Sequence, residues 1–555
     1  MNDAHPPRPG LIAVAVVAVL VVLATSCGSG GSSRDRAELL GNTGVVEDDG
    51  AAIPGGRIVY GIEAESDGWN PSNSKWGPAG LQVARTFFDT LAAYDAERNA
   101  QPDLAEALIP NETYTEWTIR LRPGVRLHNG RLVDASLVKE NFDFLKSSVL
   151  TSSPFEPIES FEVRSSLEVL VRMKRPWVNY PYALTTQIGV VADPDWLRSG
   201  AKTNPVGTGA FVFKEWIPDS RLVVEKNPDY WRVDPSGNRY PYLDGIEFRP
   251  LADADARAAS LEAGNIDIMQ TATAGQLERF AELGEAGAYQ VFNDVSGETT
   301  EVFVQLNTMA PPFDDLDARR ALALATDPEE YVKTLYDGFY EVARGPFAPS
   351  SPWYTETDYP HFDLGEARKL VAEVKARHGG SFSFKILGGG DASALSSLQL
   401  LQQQWKRAGI EVQIEPIEQA QLITNVATGR YQATIWRQFD SPHPLGDSVW
   451  WHPNTAKPIP EIALNFARNR DERIGAALDE ARETTDKARE RELYQQVQRY
   501  LAEDIPYIWL FHAQISIVAN NRVVNVVNYR LPGGQKGIEV LAGSHPLWQV
   551  WLRAA

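Results

Sequence analysis

The chain has 555 residues, 43% hydrophobic and 23% charged, a globular composition that excludes wholesale disorder and has room for two or three structural units. Its formal charge of −20, with no basic stripe to neutralise a phosphate backbone, argues against a nucleic-acid partner and for a solvated acidic surface. A single cysteine excludes an intrachain disulfide.

In chain order, the first feature is an apolar run from Leu11 to Ala24, preceded by a short segment carrying Arg8. It is too short for a comfortable membrane span but suits the apolar region of a secretory signal. Leu23-Ala24-Thr25-Ser26-Cys27 resembles a bacterial lipobox, with its leucine one place early, and such a cysteine becomes an acylated N-terminus. The expectation is a signal peptide over 1–26, lipidation at Cys27 and a flexible linker over 27–55, beginning with the Gly/Ser run Gly28–Ser33. One acyl chain anchors only marginally, so a two-chain modification is expected. A plain signal peptide with an incidental cysteine is the other reading.

Patterned sequence begins near Gly56. Arg57–Ile62 reads as a first strand, and Glu116–Arg122 alternates with Trp117, Ile119 and Leu121 on one face. Pro123-Gly124 then turns the chain, so Val125–Leu127 is predicted to return as a β-hairpin. Asp134 is the expected N-cap of a helix burying Val138, Phe142 and Leu145. The second half changes rhythm. A strand at Phe382–Leu387 ends in Gly388-Gly389-Gly390, and a helix over Ala392–Ala408 is stopped by Gly409. A strand at Ile410–Ile414, a helix over Gln419–Thr428 and a strand at Tyr431–Trp436 follow. This alternation implies right-handed crossovers and a parallel α/β sheet. Leu493, Val497 and Leu501 form an apolar stripe on a later polar helix.

Signs of covalent chemistry are missing. There is no Gly-x-Ser-x-Gly elbow and no HExxH, and the triple glycine lacks the Lys-Ser/Thr of a phosphate loop. The expectation is no enzyme, no catalytic residue, no resident metal and no cofactor. Of Trp450 and Trp451, adjacent in sequence, one is expected in the core. His443 and His452 leave a bound metal chelate or haem open as a ligand.

Five blocks, taken in order, carry a resemblance. Trp117–Leu145 reads WTIRLRPGVRLHNGRLVDASLVKENFDFL, and Asn204–Trp231 reads NPVGTGAFVFKEWIPDSRLVVEKNPDYW. Tyr242–Ile268, Asn307–Asp327 and Arg489–Pro506 follow. Together they resemble the extracellular solute-binding proteins of family 5, the oligopeptide-, dipeptide- and nickel-binding lipoproteins of ABC transporters. The departures are Asn129 where the family often has Asp, and Asp134 where it often has a capping Thr; both are physically equivalent. The resemblance implies an α/β, two-lobed periplasmic-binding-protein-like fold with a hinge. Mapped here, lobe one takes 56–304 and 515–555, with an extra subdomain over about 94–202, and lobe two takes 305–514.

It also implies a function: capture of a small ligand, a di- or oligopeptide, and delivery to ABC permease subunits. The chain would be an exported monomer held by lipid on the outer face of the bacterial cytoplasmic membrane. A sugar oligomer, a nickel chelate or haem as ligand, or a regulatory envelope lipoprotein, are the alternatives. In the segment Ile435–Pro444, relatives that bind peptide carry a Trp followed shortly by an Asp that pairs with the ligand's α-amino group. The matching residues are Trp436, an apolar wall, and Asp440, one place later than in dipeptide binders, with Phe439 beside it. Asp440 as the start of a Ser-Pro turn is the competing reading. Arg437 and Arg344 are candidates for a ligand carboxylate or for inter-lobe and surface ion pairs. Glu65 and Trp69 follow the first strand, where lobe-one contacts fall in relatives.

Overall fold

The computed structural model describes residues 41–47, 52–74, 76–148, 151–293, 300–390, 392–438 and 441–553. The expected signal segment and Cys27 lie outside the described residues, as do Phe439 and Asp440. Among the described residues, no helix is long and apolar enough to cross a membrane.

Two large mixed sheets organise the chain. The first runs, in spatial order, Tyr289–Asn293, Ser516–Asn520, Ile268–Thr271, Arg57–Ile62, Gly245–Pro250, Arg221–Lys226 and Phe211–Ile217. The second runs Glu341–Val342, Tyr507–Ala513, Thr300–Leu306, Ala433–Gln438, Ser383–Gly388 and Glu411–Pro416. Ser383–Gly388 pairs in parallel with both of its neighbours. The other ladders of this sheet are antiparallel, so the parallel sheet expected from the strand–helix rhythm covers only half of it. The boundary expected between 304 and 305 falls inside Thr300–Leu306, a strand that belongs wholly to the second sheet. The chain returns to the first sheet at Ser516–Asn520.

A smaller four-stranded antiparallel sheet orders Ala105–Pro110, Glu116–Leu121, Glu168–Met173 and Ile158–Ser165. Trp117, Ile119 and Leu121 are buried as their alternation requires. The predicted hairpin is not formed. Glu116–Leu121 is taken on one edge by the strand just before it, Ala105–Pro110, and on the other by the distant Glu168–Met173. Val125–Leu127 turns instead onto Arg131–Val133, through Leu127 N–H to Arg131 O at 2.9 Å and Val133 N–H to Val125 O at 2.9 Å. The next helix, Ala135–Ser147, is capped by Asp134, whose carboxylate accepts from Leu137 N–H at 2.8 Å. Val138, Phe142 and Leu145 are buried beneath it, each contributing roughly 1.5–3 kcal/mol of apolar transfer.

Two of the motifs quoted above converge where this unit meets the first sheet. In Gly207-Thr208-Gly209, a Cβ on either glycine would lie about 2 Å from the carbonyl of Phe87 or Thr86, at 2.2 and 2.3 Å, so only glycine permits the approach. Thr208 Oγ1 accepts from Asp89 N–H at 3.1 Å, and Asn227 Nδ2 donates to Gly209 O at 2.9 Å. From the same Asn-Pro-Asp-Tyr-Trp turn, the Tyr230 hydroxyl and the Trp231 indole N–H donate to the two Asp89 oxygens, each at 2.9 Å. Arg232 completes the knot by donating to both oxygens of Asp103, to Oδ2 at 2.6 Å.

Candidate ligand-binding site

Strand Ala433–Gln438 of the second sheet carries its last residues to the boundary with the first unit. Arg437, half-buried there, donates to Glu63 Oε1 at 2.9 Å, and Glu63 directly follows the first strand, Arg57–Ile62. Beyond the strand, Ser441 Oγ lies 3.0 Å from the Tyr94 hydroxyl. The His443 ring stacks on Tyr182 with centroids 3.9 Å apart. Trp436 meets Phe466 edge-on at 5.4 Å, and Trp450 packs on the same ring at 5.3 Å. Trp450 is half-buried and Trp451 buried, so one of the adjacent pair is in the core. Both also line a cavity of about 10 Å³ beside Phe303, Phe466 and Trp509, room for one water. The arrangement is an aromatic wall on one side and polar groups from two separate units on the other.

Beneath this boundary lies a buried polar chain. Glu490, 1% exposed, accepts from Asn179 Nδ2 at 3.0 Å and from His443 Nε2 at 3.1 Å. Lys487 reaches its other oxygen at 2.8 Å, and the Trp177 indole N–H holds the Asn179 carbonyl at 3.0 Å. Burial opposes the Glu490 charge, but the hydrogen bonds from His443 and Lys487 hold its carboxyl below the usual carboxylate range. Burial pushes the His443 imidazole down. Leu445 N–H donates into its Nδ1 at 3.2 Å, so the ring is neutral and the shared proton sits on Nε2.

The family model described as bacterial extracellular solute-binding proteins, family 5 middle, matches residues 99–457. The chain belongs to family 5. Relatives of this family 5 protein include the glutathione-binding protein GsiB of Pectobacterium atrosepticum, 26% identical over 81% of this chain and 86% of the relative. The oligopeptide-binding protein AppA of Bacillus subtilis is 25% identical over 91% of this chain and 93% of its own length. Among solved structures, AppA of Bacillus subtilis in complex with a nonapeptide is similar, with a TM-score of 0.77 and 22% identity, covering 91% of this chain and all of that one (100%). DppA of Helicobacter pylori in complex with the peptide STSA has a TM-score of 0.77 at 20% identity, covering 90% of this chain and 99% of that one. The fold is the two-lobed architecture of these binding proteins, and the two large sheets are its lobes.

Within this family 5 fold the candidate residues separate. Trp436 and Arg437 stand at the interlobe boundary, with Arg437 engaged by Glu63. Arg344 pairs with Glu329 at 2.6 Å in a surface ion pair. Trp69 is 1% exposed in the lobe-one core, against Phe87 and Trp216. Glu65 accepts from the Trp216 indole N–H at 2.5 Å and from Asp219 N–H at 3.0 Å. Glu65 and Trp69 therefore pack within lobe one, because beyond Glu63, which reaches Arg437, the loop folds back onto Phe211–Ile217. Among the described residues no group of three or more His, Cys, Asp or Glu could hold a metal. His452 lies 3.4 Å from Asp479.

Tyr94, Asn179, Tyr182 and Glu490 were not singled out from sequence. For Glu490 a signal exists: it lies three residues before Leu493 on the apolar stripe of helix Lys487–Asp504, and a carboxylate in such a register must find partners. The Glu63–Arg437 pair ties the lobes in a partly exposed setting, so Glu63→Gln should cost under about 1 kcal/mol of closure. That corresponds to an up to about fivefold rise in the open-to-closed ratio, read from distances between spin labels on the two lobes. An unchanged distance distribution would remove this role.

Proposed function

We propose that this chain is the receptor of an ABC importer that encloses a peptide-class ligand, a di- or oligopeptide or a glutathione-like peptide, between its lobes. The observation that carries the reading is the end of strand Ala433–Gln438 at the interlobe boundary, with Trp436 against an aromatic wall and Arg437 bound across to Glu63. Membership of family 5, and relatives named for glutathione and oligopeptide binding, support the ligand class. Asp440, two residues beyond that strand, is the proposed partner of the ligand ammonium. A peptide sealed between lobes loses the water around its amine, and a carboxylate replaces it with a charge-assisted hydrogen bond. Closure by a hinge then follows from contacts that exist only in the shut form. The reading includes export, lipid attachment at Cys27, division of the chain into lobes close to 300 and 515, monomeric action, hand-over to permease subunits and no covalent chemistry.

Calorimetric titration with di- to nonapeptides and reduced glutathione tests it. Asp440→Ala should weaken the best ligand about 100-fold, the scale of leaving a buried ammonium without its partner, with the circular dichroism spectrum unchanged. Equal affinity in the variant would remove Asp440 from the site. The absence of binding by every peptide tested would remove the peptide reading.

A further inference from the structure

A cavity of about 870 Å³ opens between the four-stranded unit and lobe two, within the roughly 300–1,000 Å³ of small-molecule sites. One wall comes from Lys146 and residues 152–157 and 174–186, the other from residues 445–482. Neither wall encloses the space alone. It shares Leu464 with the aromatic pocket around Trp450 and Phe466, so it adjoins the candidate site.

Its charge runs against that of the molecule. The whole chain carries −20, yet this lining has Lys146, Lys174, Arg175, Lys457 and Arg482 against only Glu156 and Asp479. The two carboxylates are already committed. Glu156 meets Lys174 at 3.0 Å, Asp479 receives Arg175 at 3.3 Å, Arg482 at 3.0 Å and His452 at 3.4 Å, and Arg175 also meets Glu483, just outside the lining, at 2.7 Å, which leaves Lys146 and Lys457 as the cationic excess. Lys146 donates to the carbonyl of Ile158 at 3.0 Å and, among the described residues, neutralises no carboxylate. Arg482 lies 5.5 Å over the Trp177 ring and leaves its buried Nε without a partner among the described residues. The result is a positive, aromatic-backed hollow in an acidic protein, a setting in which local field rather than net charge selects the guest.

We infer that this cavity binds the carboxylate-rich portion of an acidic peptide. The inference rests on the proposed function for the class of guest and adds the feature that selects its charge. Because the walls belong to separate units, a guest here also favours the closed arrangement.

Calorimetry on the full chain in detergent, at fixed ionic strength, compares tetraglutamate with tetraalanine. Tetraglutamate should bind about tenfold or more tightly, and both Lys457→Glu and the pair Lys146→Gln with Lys457→Glu should erase that preference while leaving tetraalanine unchanged. Lys457 is exposed, so its variant should fold normally. Equal affinity for the two peptides overturns the inference and leaves the peptide reading standing. A preference untouched by the variants overturns the location. Tetraglutamate binding that the variants abolish, with no tetraalanine binding, upholds the cavity and removes Asp440 as a general peptide anchor. Binding of neither removes both.

Discussion

Arg232→Ala should destabilise the folded chain by about 3–5 kcal/mol, the cost of stranding buried charge. Arg232 is 6% exposed, and its guanidinium lies between two indoles, 4.4 Å from the Trp231 ring centre and 4.3 Å from that of Trp548. It also holds the Tyr230 hydroxyl at 2.9 Å, and Asp89 stands 3.8 Å away. Alanine removes the cation, both stacking contacts and the only arginine bonded to the buried Asp103 carboxylate among the described residues. Denaturant unfolding followed by tryptophan fluorescence should show the transition that includes lobe one moving to lower concentration. Because a chain of several units need not unfold in one step, that transition is followed separately. Adding Asp103→Asn should recover part of the loss by removing the stranded charge. A single variant with wild-type unfolding, or a double variant worse than the single, would refute this account of the knot.

Acid should weaken the fold well before its carboxylates protonate. His545 is 0% exposed, and its Nδ1–H faces the carbonyls of Val526 at 2.8 Å and Pro546 at 3.1 Å. Its Nε2 lies 3.4 Å from the Tyr60 hydroxyl, which donates to it, so the ring is neutral. Burial pushes its pKa down from 6.5 to about 4. Between those values the unfolded chain binds the proton and the folded chain does not. Stability is therefore complete above about pH 6.5 and falls as pH drops toward 4, by about 3 kcal/mol for this ring alone. His128, His443 and His512 are shifted in the same direction by burial, so the decline is steeper than one group produces. Unfolding midpoints at pH 7.0 and 4.5 should differ clearly, and His545→Gln, which keeps a side-chain N–H donor, should flatten the slope by up to one proton. Identical midpoints at the two pH values would contradict the neutral, buried assignment.

Much of this protein was legible locally. Strand Arg57–Ile62 and helix Ala392–Ala408 stand where their patterns predict, and Asp134 caps its helix as its type and position suggest. The stripe Leu493, Val497 and Leu501 is buried. Each depends on backbone preference or periodic burial within a few residues, information the chain carries in its own neighbourhood. The Gly-Thr-Gly and Asn-Pro-Asp-Tyr-Trp segments signalled kinship, but their reason, convergence on Asp89, could not be read before the chain closed on itself.

What the sequence alone determined was therefore the kind of fold and the elements that build it. The tertiary structure decided which elements meet. Glu116–Leu121 passed over the following Val125–Leu127 for the preceding Ala105–Pro110 and the distant Glu168–Met173, and Arg437 found Glu63 at a separation of 374 residues. Glu65 and Trp69 turned into lobe one, while residues 152–157 and 174–186 with residues 445–482 jointly enclosed a positive hollow. Such choices depend on loop closure and on burial summed over the whole molecule, and no short window of sequence contains both members of the distant pairs.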